Sequence, residues 1–416
     1  DTIYDEITNA ILSTNESLYI FMYIFSNPFI LDAIKMLKQQ KPNVDIKVVL
    51  EKESIWDSNT GTFVPDEYTL YAAYNLSTDI GAEVRWENDT YRLLHAKMMI
   101  IDNKTLVMMS SNFAKSGVPK DNTYGNREVA IKIENDIVVK YFIEIFFDEF
   151  EDAQPWSTSD TAGMREPSRY VPTNDYNPVF STGSFSGDVG FLPLVSPESS
   201  LSNLLRLFRD AKHFIYIMLP YVRTTQRHVQ MLLDELEEAA NRGVTVQMIL
   251  NGSALDDTTR SDLESRGIRV VNVSYPLKSI HAKLIIVDGR IVVVGSINWS
   301  KYSLTKNRET GIAIKSINVT KYYCDVFAHD WEISGETFDS DGDGLSDYYE
   351  QDHNLDPYDN DTDDDGYSDW EEVVVYDSDP LDPLSPNPPP RIDIISPGNE
   401  TTLTTPNILV EWEAYD

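Results

Sequence analysis

Two stretches of the chain carry the same pairing of side chains: His95, Lys97 and Asp102, and again His281, Lys283 and Asp288. In an extended segment side chains alternate between faces, so a histidine and the lysine two positions on point the same way. Each histidine is followed fifteen positions later by a serine, Ser110 or Ser296, and seventeen positions later by an asparagine, Asn112 or Asn298. An imidazole titrates near neutrality and can serve as nucleophile, acid or base, while the ammonium and amide beside it supply charge and N–H donors. Common ancestry of two repeats accounts for a matched aspartate in a turn. It does not account for a lysine and a histidine on one face of an apolar strand, because burying them costs free energy unless an anion offsets it.

The elements that position these groups are repeated as well. Segments 17–25 and 44–50 parallel 213–221 and 244–250, 81–85 parallels 267–271, and Asn126-Arg127-Glu128 parallels Asn307-Arg308-Glu309. Short β-branched runs alternate with helical patterns, such as Val229, Leu232, Leu233 and Leu236 on one helix face, so the reading is α/β, in two halves. Residues 1–151 form the first half and 187–335 the second, joined by a Pro-, Ser- and Thr-rich connection, 152–186, that reads as a lid or a plain linker. Residues 189–195 predict a strand ahead of the second half's first helix, whereas the first half opens on the helix, so its first strand is expected to be missing.

With these motifs in place the chain resembles the phospholipase D superfamily, whose members carry H-x-K-x4-D-x6-G-S-x-N twice. The second copy fits throughout; the first has Met109 where the pattern has glycine. The resemblance implies two similar halves about a pseudo-two-fold axis, with both motifs converging on one phosphodiester. It implies His95 as nucleophile, forming a phosphohistidine, and His281 as acid and then base. Lys97, Lys283, Asn112 and Asn298 would donate to the non-bridging oxygens, with Ser110 and Ser296 as supporting donors, and no cofactor would serve catalysis. Glu128 and Glu309 are the candidates to hold the second imidazole proton; the alternative is an exposed carboxylate at a strand edge. Asp102 and Asp288 are read as structural. Arg127, Arg308 and Trp299 either touch substrate or pack.

A second chemistry lies downstream. Asp339, Asp341, Asp343, Asp347 and Glu350 fall at loop positions 1, 3, 5, 9 and 12 with Gly344 at 6, and Asp361, Asp363, Asp365, Asp369 and Glu372 repeat the pattern around Gly366. That spacing is a calcium loop. The 22-residue offset and the Asp-Pro steps resemble thrombospondin type 3 repeats, which implies calcium in 336–386 and a stiff stalk carrying further modules. Residues 387–390 are a proline spacer, and 391–416 alternate like the first strands of a truncated β-sandwich.

The charge agrees with this division. Of 68 Asp and Glu against 34 Lys and Arg in 416 residues, 24 acidic residues and one arginine lie beyond Gly335. A formal charge of −34 excludes a basic protein that coats nucleic acid, and no apolar run is long enough to span a membrane. One cysteine, Cys324, excludes an internal disulfide framework. Millimolar-calcium loops and N-x-S/T sites such as Asn15, Asn75 and Asn251 favour the cell exterior or surface over the cytosol. The leading expectation is a secreted phosphodiesterase, a monomeric catalytic unit acting on phospholipid by hydrolysis or transfer. Its rivals are an extracellular nuclease of the same chemistry and a non-catalytic, calcium-stiffened surface protein.

Overall fold

The computed structural model describes residues 3–385, except 89, 121–124, 172–178, 188 and 274–278. The proline spacer and the β-sandwich expectation, 387–416, lie outside the described residues.

In the first half the chain runs α1 (Ile3–Ser13), β1 (Ser17–Met22), α2 (Pro28–Gln40), β2 (Asp45–Leu50), a hairpin of β3 (Ile55–Asp57) and β4 (Thr62–Val64), and α3 (Glu67–Tyr74). It continues through β5 (Glu83–Trp86), β6 (Lys97–Ile101), β7 (Thr105–Met109), β8 (Ala130–Ile133), α4 (Asp136–Asp152) and β9 (Gln154–Pro155). The second half runs β10 (Gly190–Ser196), α5 (Ser200–Asp210), β11 (Phe214–Leu219), α6 (Arg227–Asn241), β12 (Thr245–Asn251), α7 (Asp257–Ser265) and β13 (Ile268–Val273). It closes with β14 (Leu284–Val287), β15 (Ile291–Gly295), α8 (Lys301–Thr305), β16 (Glu309–Lys315) and α9 (Ile317–Glu332), after which comes α10 (Asp347–His353).

The sheets share one plan. The order is β8-β7-β6-β1-β2-β5-β9 in one and β10-β16-β15-β14-β11-β12-β13 in the other. Strands β1 and β11 each pair parallel with the next strand, β2 or β12, and antiparallel with β6 or β14, as in Ser17 with Asp45 and Met22 with Lys97. Central strands β1 and β11 are buried along their whole length, as strands covered on both faces must be. The sheets differ at both edges: β10 runs antiparallel along β16 with no described strand in that place beside β8, and the short β9 pairs antiparallel with β5 with no described strand in that place beside β13.

Helices α1, α2 and α3 cover the outer face of the first sheet and α5, α6 and α7 that of the second. The inner faces share a core with α4 and α9, whose Phe142, Phe146 and Phe150 and whose Tyr323, Phe327 and Trp331 recur at helical spacing. Asn135 and Ser316 cap those two helices by accepting main-chain N–H bonds.

The acidic repeats correct the stalk expectation. Phe338, Leu345, Tyr349, Trp370 and Val374 belong to the shared core rather than to a separate unit. Ser346 Oγ donates to the buried Gln247 Oε1 of β12 at 2.7 Å, and Arg290 Nε donates to Val374 O at 2.7 Å. Apolar burial of this kind holds the repeats against the second half, where a stalk would have stood clear of it.

Candidate active site

Asp102 and Asp288 are what places the two motif strands. Each sits at φ near +53° in the tight turn after its strand, a conformation aspartate tolerates better than most residues. The Asp102 carboxylate accepts the main-chain N–H groups of Asn15, Glu16 and Ser17, and that of Asp288 those of Lys212, His213 and Phe214. Each turn is thereby tied to the start of the neighbouring central strand, so these two residues are structural.

The halves then exchange main-chain bonds next to each histidine. His95 N donates to Arg308 O at 2.9 Å and Arg308 N to Leu93 O at 2.9 Å, while Arg127 N donates to Ser279 O at 2.8 Å and His281 N to Arg127 O at 3.0 Å. The Asn-Arg-Glu segment of each half therefore lies along the histidine segment of the other, and the carboxylates cross. Glu309 Oε2 lies 2.7 Å from His95 Nδ1, and Glu128 Oε1 lies 2.8 Å from His281 Nδ1. The exposed-edge alternative for these glutamates is ruled out, since the Glu309 side chain is 0% exposed and that of Glu128 2%.

Ser110 and Ser296 depart from their expected role. Their hydroxyls donate to Glu128 Oε2 and Glu309 Oε2, both at 2.6 Å, and neither residue is exposed. A hydroxyl has one proton, and here it is spent on the carboxylate, so these serines hold the glutamates and do not face a phosphate. Ser303 Oγ and Asn307 Nδ2 also donate to Glu309 Oε1, and Asn126 Nδ2 to Glu128 Oε1 at 3.4 Å. Neither the asparagines nor Ser303 was given a role in the sequence; the repeated Asn-Arg-Glu triplet was the signal for the asparagines. Arg127 and Arg308 are bound across the halves, Arg127 to the buried Asp330 and Arg308 to Glu149, and Arg308 is also held by Glu198 of its own half. Trp299 is fully buried against Phe208. These three pack.

With Nδ1–H committed to Glu309, His95 presents Nε2 with a free lone pair. Burial holds His95 down at about 4, Glu309 opposes that, and Lys97 and Lys283 deepen it. His281 is lowered by burial too, with Glu128 opposing and both lysines adding. Lys97 is wholly buried and donates to His95 O at 2.6 Å; Lys283 donates to His281 O at 2.6 Å. Burial brings Lys97 down to about 7, Glu309 opposing and Lys283 adding, and it brings Lys283 to about 8 against Glu128 and Glu309. Burial pushes both glutamates upward, but their histidine partners and the lysines outweigh it and leave them below the usual carboxylate range. Two desolvated ammoniums in one field are a site prepared for an anion.

A cleft of about 390 Å³ opens on this machinery, lined by His95, Asn298, Tyr23 and Tyr221. The Tyr23 ring lies 4.8 Å from that of His95 and is fixed by its hydroxyl, which donates to Ser54 O at 2.6 Å. The amide oxygens of Asn112 and Asn298 are buried without a partner among the described residues, so neither amide is locked into the protein's own network through that atom.

The acidic loops suit calcium. Oxygens of Asp339, Asp341 and Asp343 come within 4.8 Å of one another, as do those of Asp361, Asp363 and Asp365. Glu350 is fully buried with both carboxylate oxygens unpartnered, and Glu372 has one such oxygen, a cost that a bound cation removes. Asp347 and Asp369, at loop position 9, also clamp the loop start: their carboxylates accept the N–H and O–H of Ser340 and of Thr362.

Comparison with known proteins places this geometry. The family described as "Cardiolipin synthase, PLD-like domain" matches residues 7–149 and 204–331, and the bacterial TSP3 repeat matches 339–360 and 361–383. The mouse mitochondrial cardiolipin hydrolase is 30% identical over 139 residues, 32% of this chain and 59% of that protein. A cardiolipin synthase of Clostridium perfringens is 22% identical over 252 residues, 58% of this chain and 49% of that protein. The chain thus spans about half the length of such relatives. In fold, the phosphatidylserine synthase of Haemophilus influenzae superposes with a TM-score of 0.57 at 13% identity, covering 80% of this chain and 84% of that one. The two half-matches together span most of the two-sheet body, and the chain belongs to the phospholipase D-like family.

Proposed function

We propose that the chain is a phosphodiesterase acting on phospholipids, by hydrolysis or by transfer to an alcohol, through a phosphohistidine. The crossed pairs His95–Glu309 and His281–Glu128 carry this reading. His95 Nε2 attacks phosphorus while the bond to the departing alkoxide breaks, and protonated His281 gives that oxygen its proton. His281, now neutral, takes a proton from water or an alcohol, which attacks phosphorus as the P–N bond to His95 breaks. Each glutamate offsets the imidazolium charge that its histidine acquires. Lys97, Lys283 and the two asparagines meet the charge growing on the non-bridging oxygens. The lipid-acting names of the relatives support the substrate class. The calcium loops support a compartment with millimolar calcium, and we place the chain outside the cell or on its surface.

Turnover of bis(p-nitrophenyl) phosphate and of phosphatidylglycerol in micelles, in excess EDTA, is the test. Activity should survive chelation and fall by about 10³-fold or more in both His95→Ala and His281→Ala. Because the acid His281 is lowered by burial, and Lys97 and Lys283 are brought down to about 7 and 8, kcat/KM should decline as pH rises from the acid side of neutrality through about 8. Cleavage of the diester and of DNA with none of the lipid would replace the lipid reading by the nuclease one. Folded protein without turnover would replace both by the surface-protein reading.

A further inference from the structure

Two arginines at the cleft have no carboxylate partner among the described residues. The Arg92 guanidinium lies 3.9 Å from the ring centroid of Tyr302 and 5.8 Å from that of Phe63; that of Arg223 lies 4.7 Å from that of Tyr221. All three rings line the cleft that holds His95 and Asn298. Arg92 N donates to Lys306 O and Arg223 N to Trp299 O, so each arginine is anchored beside a motif. Other arginines of this acidic chain are held by carboxylates, as Arg266 is by Asp234 and Glu237 and Arg308 by Glu149 and Glu198. Stacking leaves the N–H edges of a guanidinium free, and that edge is suited to a phosphate.

We infer that Arg92 and Arg223 form a second anion subsite, which takes a further phosphate borne on the headgroup of the phospholipid whose diester reacts at His95. The inference rests on the lipid reading above and adds a preference to it. In the mechanism above the reacting phosphate is met by Lys97 and Lys283, which are buried, whereas Arg92 and Arg223 are exposed and serve a group farther out. A lipid is favoured over a polynucleotide by what adjoins the subsite. Ile55 and Trp56, 43% and 53% exposed on the β3–β4 hairpin, form an apolar fringe beside Phe63 that suits the boundary of a lipid surface. A polynucleotide needs a continuous basic track, and residues upstream of Glu336 hold 44 acidic against 33 basic side chains.

The test compares phosphatidylglycerophosphate with phosphatidylglycerol, which differ by one terminal phosphate, in neutral detergent micelles. Wild type should favour the former by about tenfold or more in kcat/KM, mainly through KM. Arg92→Gln and Arg223→Gln should each reduce that ratio about threefold or more, and Arg92→Lys should recover part of it. Arg206→Gln removes an arginine of α5 that among the described residues has no carboxylate partner and stacks on no ring of the cleft, and it should leave the ratio unchanged. Melting curves confirm that the variants fold. A wild-type ratio near one, or glutamine variants that keep the ratio, overturns the subsite while leaving the lipid reading intact. Oligothymidylate cleaved faster than either lipid assigns the arginines to nucleic acid and overturns the subsite as stated. Absence of turnover on both lipids overturns the subsite and the lipid reading together.

Discussion

The two halves solve one structural problem with unequal means. Both use a central strand, a motif strand and a turn aspartate, and both send a glutamate to the other half's histidine. Around that common set they diverge. The second half has β10 along its edge and the acidic repeats packed on it; the first has neither among the described residues. The His95 side chain is 11% exposed and that of His281 25%. Met109 stands where the other half has Gly295. The chain thereby supplies its own comparison. What stays the same across the halves builds the two crossed histidine–glutamate pairs and their supports, and what differs answers to local packing.

The largest effect that would sharpen this comparison comes from the crossed glutamates. Glu309→Gln and Glu128→Gln keep the shape and remove the charge that stabilises each imidazolium, and each should lower kcat by about 10²–10³-fold. They should not fail in the same way. With a p-nitrophenyl leaving group, whose departure needs little protonation, Glu128→Gln should still form the covalent adduct and release a burst of one nitrophenolate per site before stalling. Glu309→Gln should give no burst, because the His95 attack itself is impaired. The opposite pattern would make His281 the nucleophile and reverse the roles assigned to the halves.

Much of this was legible without coordinates because a repeat inside one chain separates function from chance. The two-half α/β plan, the histidines, the lysines and the structural aspartates follow from matched spacing alone. The crossing of the glutamates does not. Glu128 and Glu309 stand in sequence after their own motifs, and only the reciprocal main-chain bonds of Arg127 and Arg308 show that each serves the other half. The serines were misread for a related reason. Spacing states that a hydroxyl is near the site but not which acceptor its single proton meets. The docking of the repeats was hidden as well, since Phe338, Tyr349 and Trp370 are spaced by the calcium loops and not by a helix or strand period.

Those repeats yield the next effect in size, and it should fall on one half. Trp370 N donates to Asp343 Oδ2 at 2.8 Å, and Ser346 reaches Gln247 in β12, so the acidic loops are bonded to each other and to the second half. With calcium at a hundred times its dissociation constant, chelation should remove about 2.7 kcal/mol of stability for each loop that holds an ion. Hydrogen exchange should rise in α10 and β12 and stay unchanged in β1, and Glu350→Gln should weaken the calcium dependence. Equal melting with and without calcium, or equal exchange changes in both halves, would break the claimed asymmetry.

The smallest effect concerns the glycine that only one motif has. A Cβ built on Gly295 would lie 2.4 Å from Gly311 Cα and 2.5 Å from Thr310 O, main-chain atoms of the neighbouring strand that cannot swing aside. The glycine is therefore required by the approach of β15 to β16, and not by a phosphate drawing near the loop. In the first half the paired positions are Met109 and Ala130, and the Met109 side chain fills the outer core with α2 and α3. Gly295→Ala should cost about 1–3 kcal/mol, and by displacing Thr310 and its neighbour Glu309 it should lower kcat along with melting temperature. Met109→Leu, a swap of similar volume, should cost less than about 1.5 kcal/mol and leave kcat alone. If Met109→Gly raised activity, the glycine would matter to the phosphate after all, and the difference between the halves would be one of chemistry.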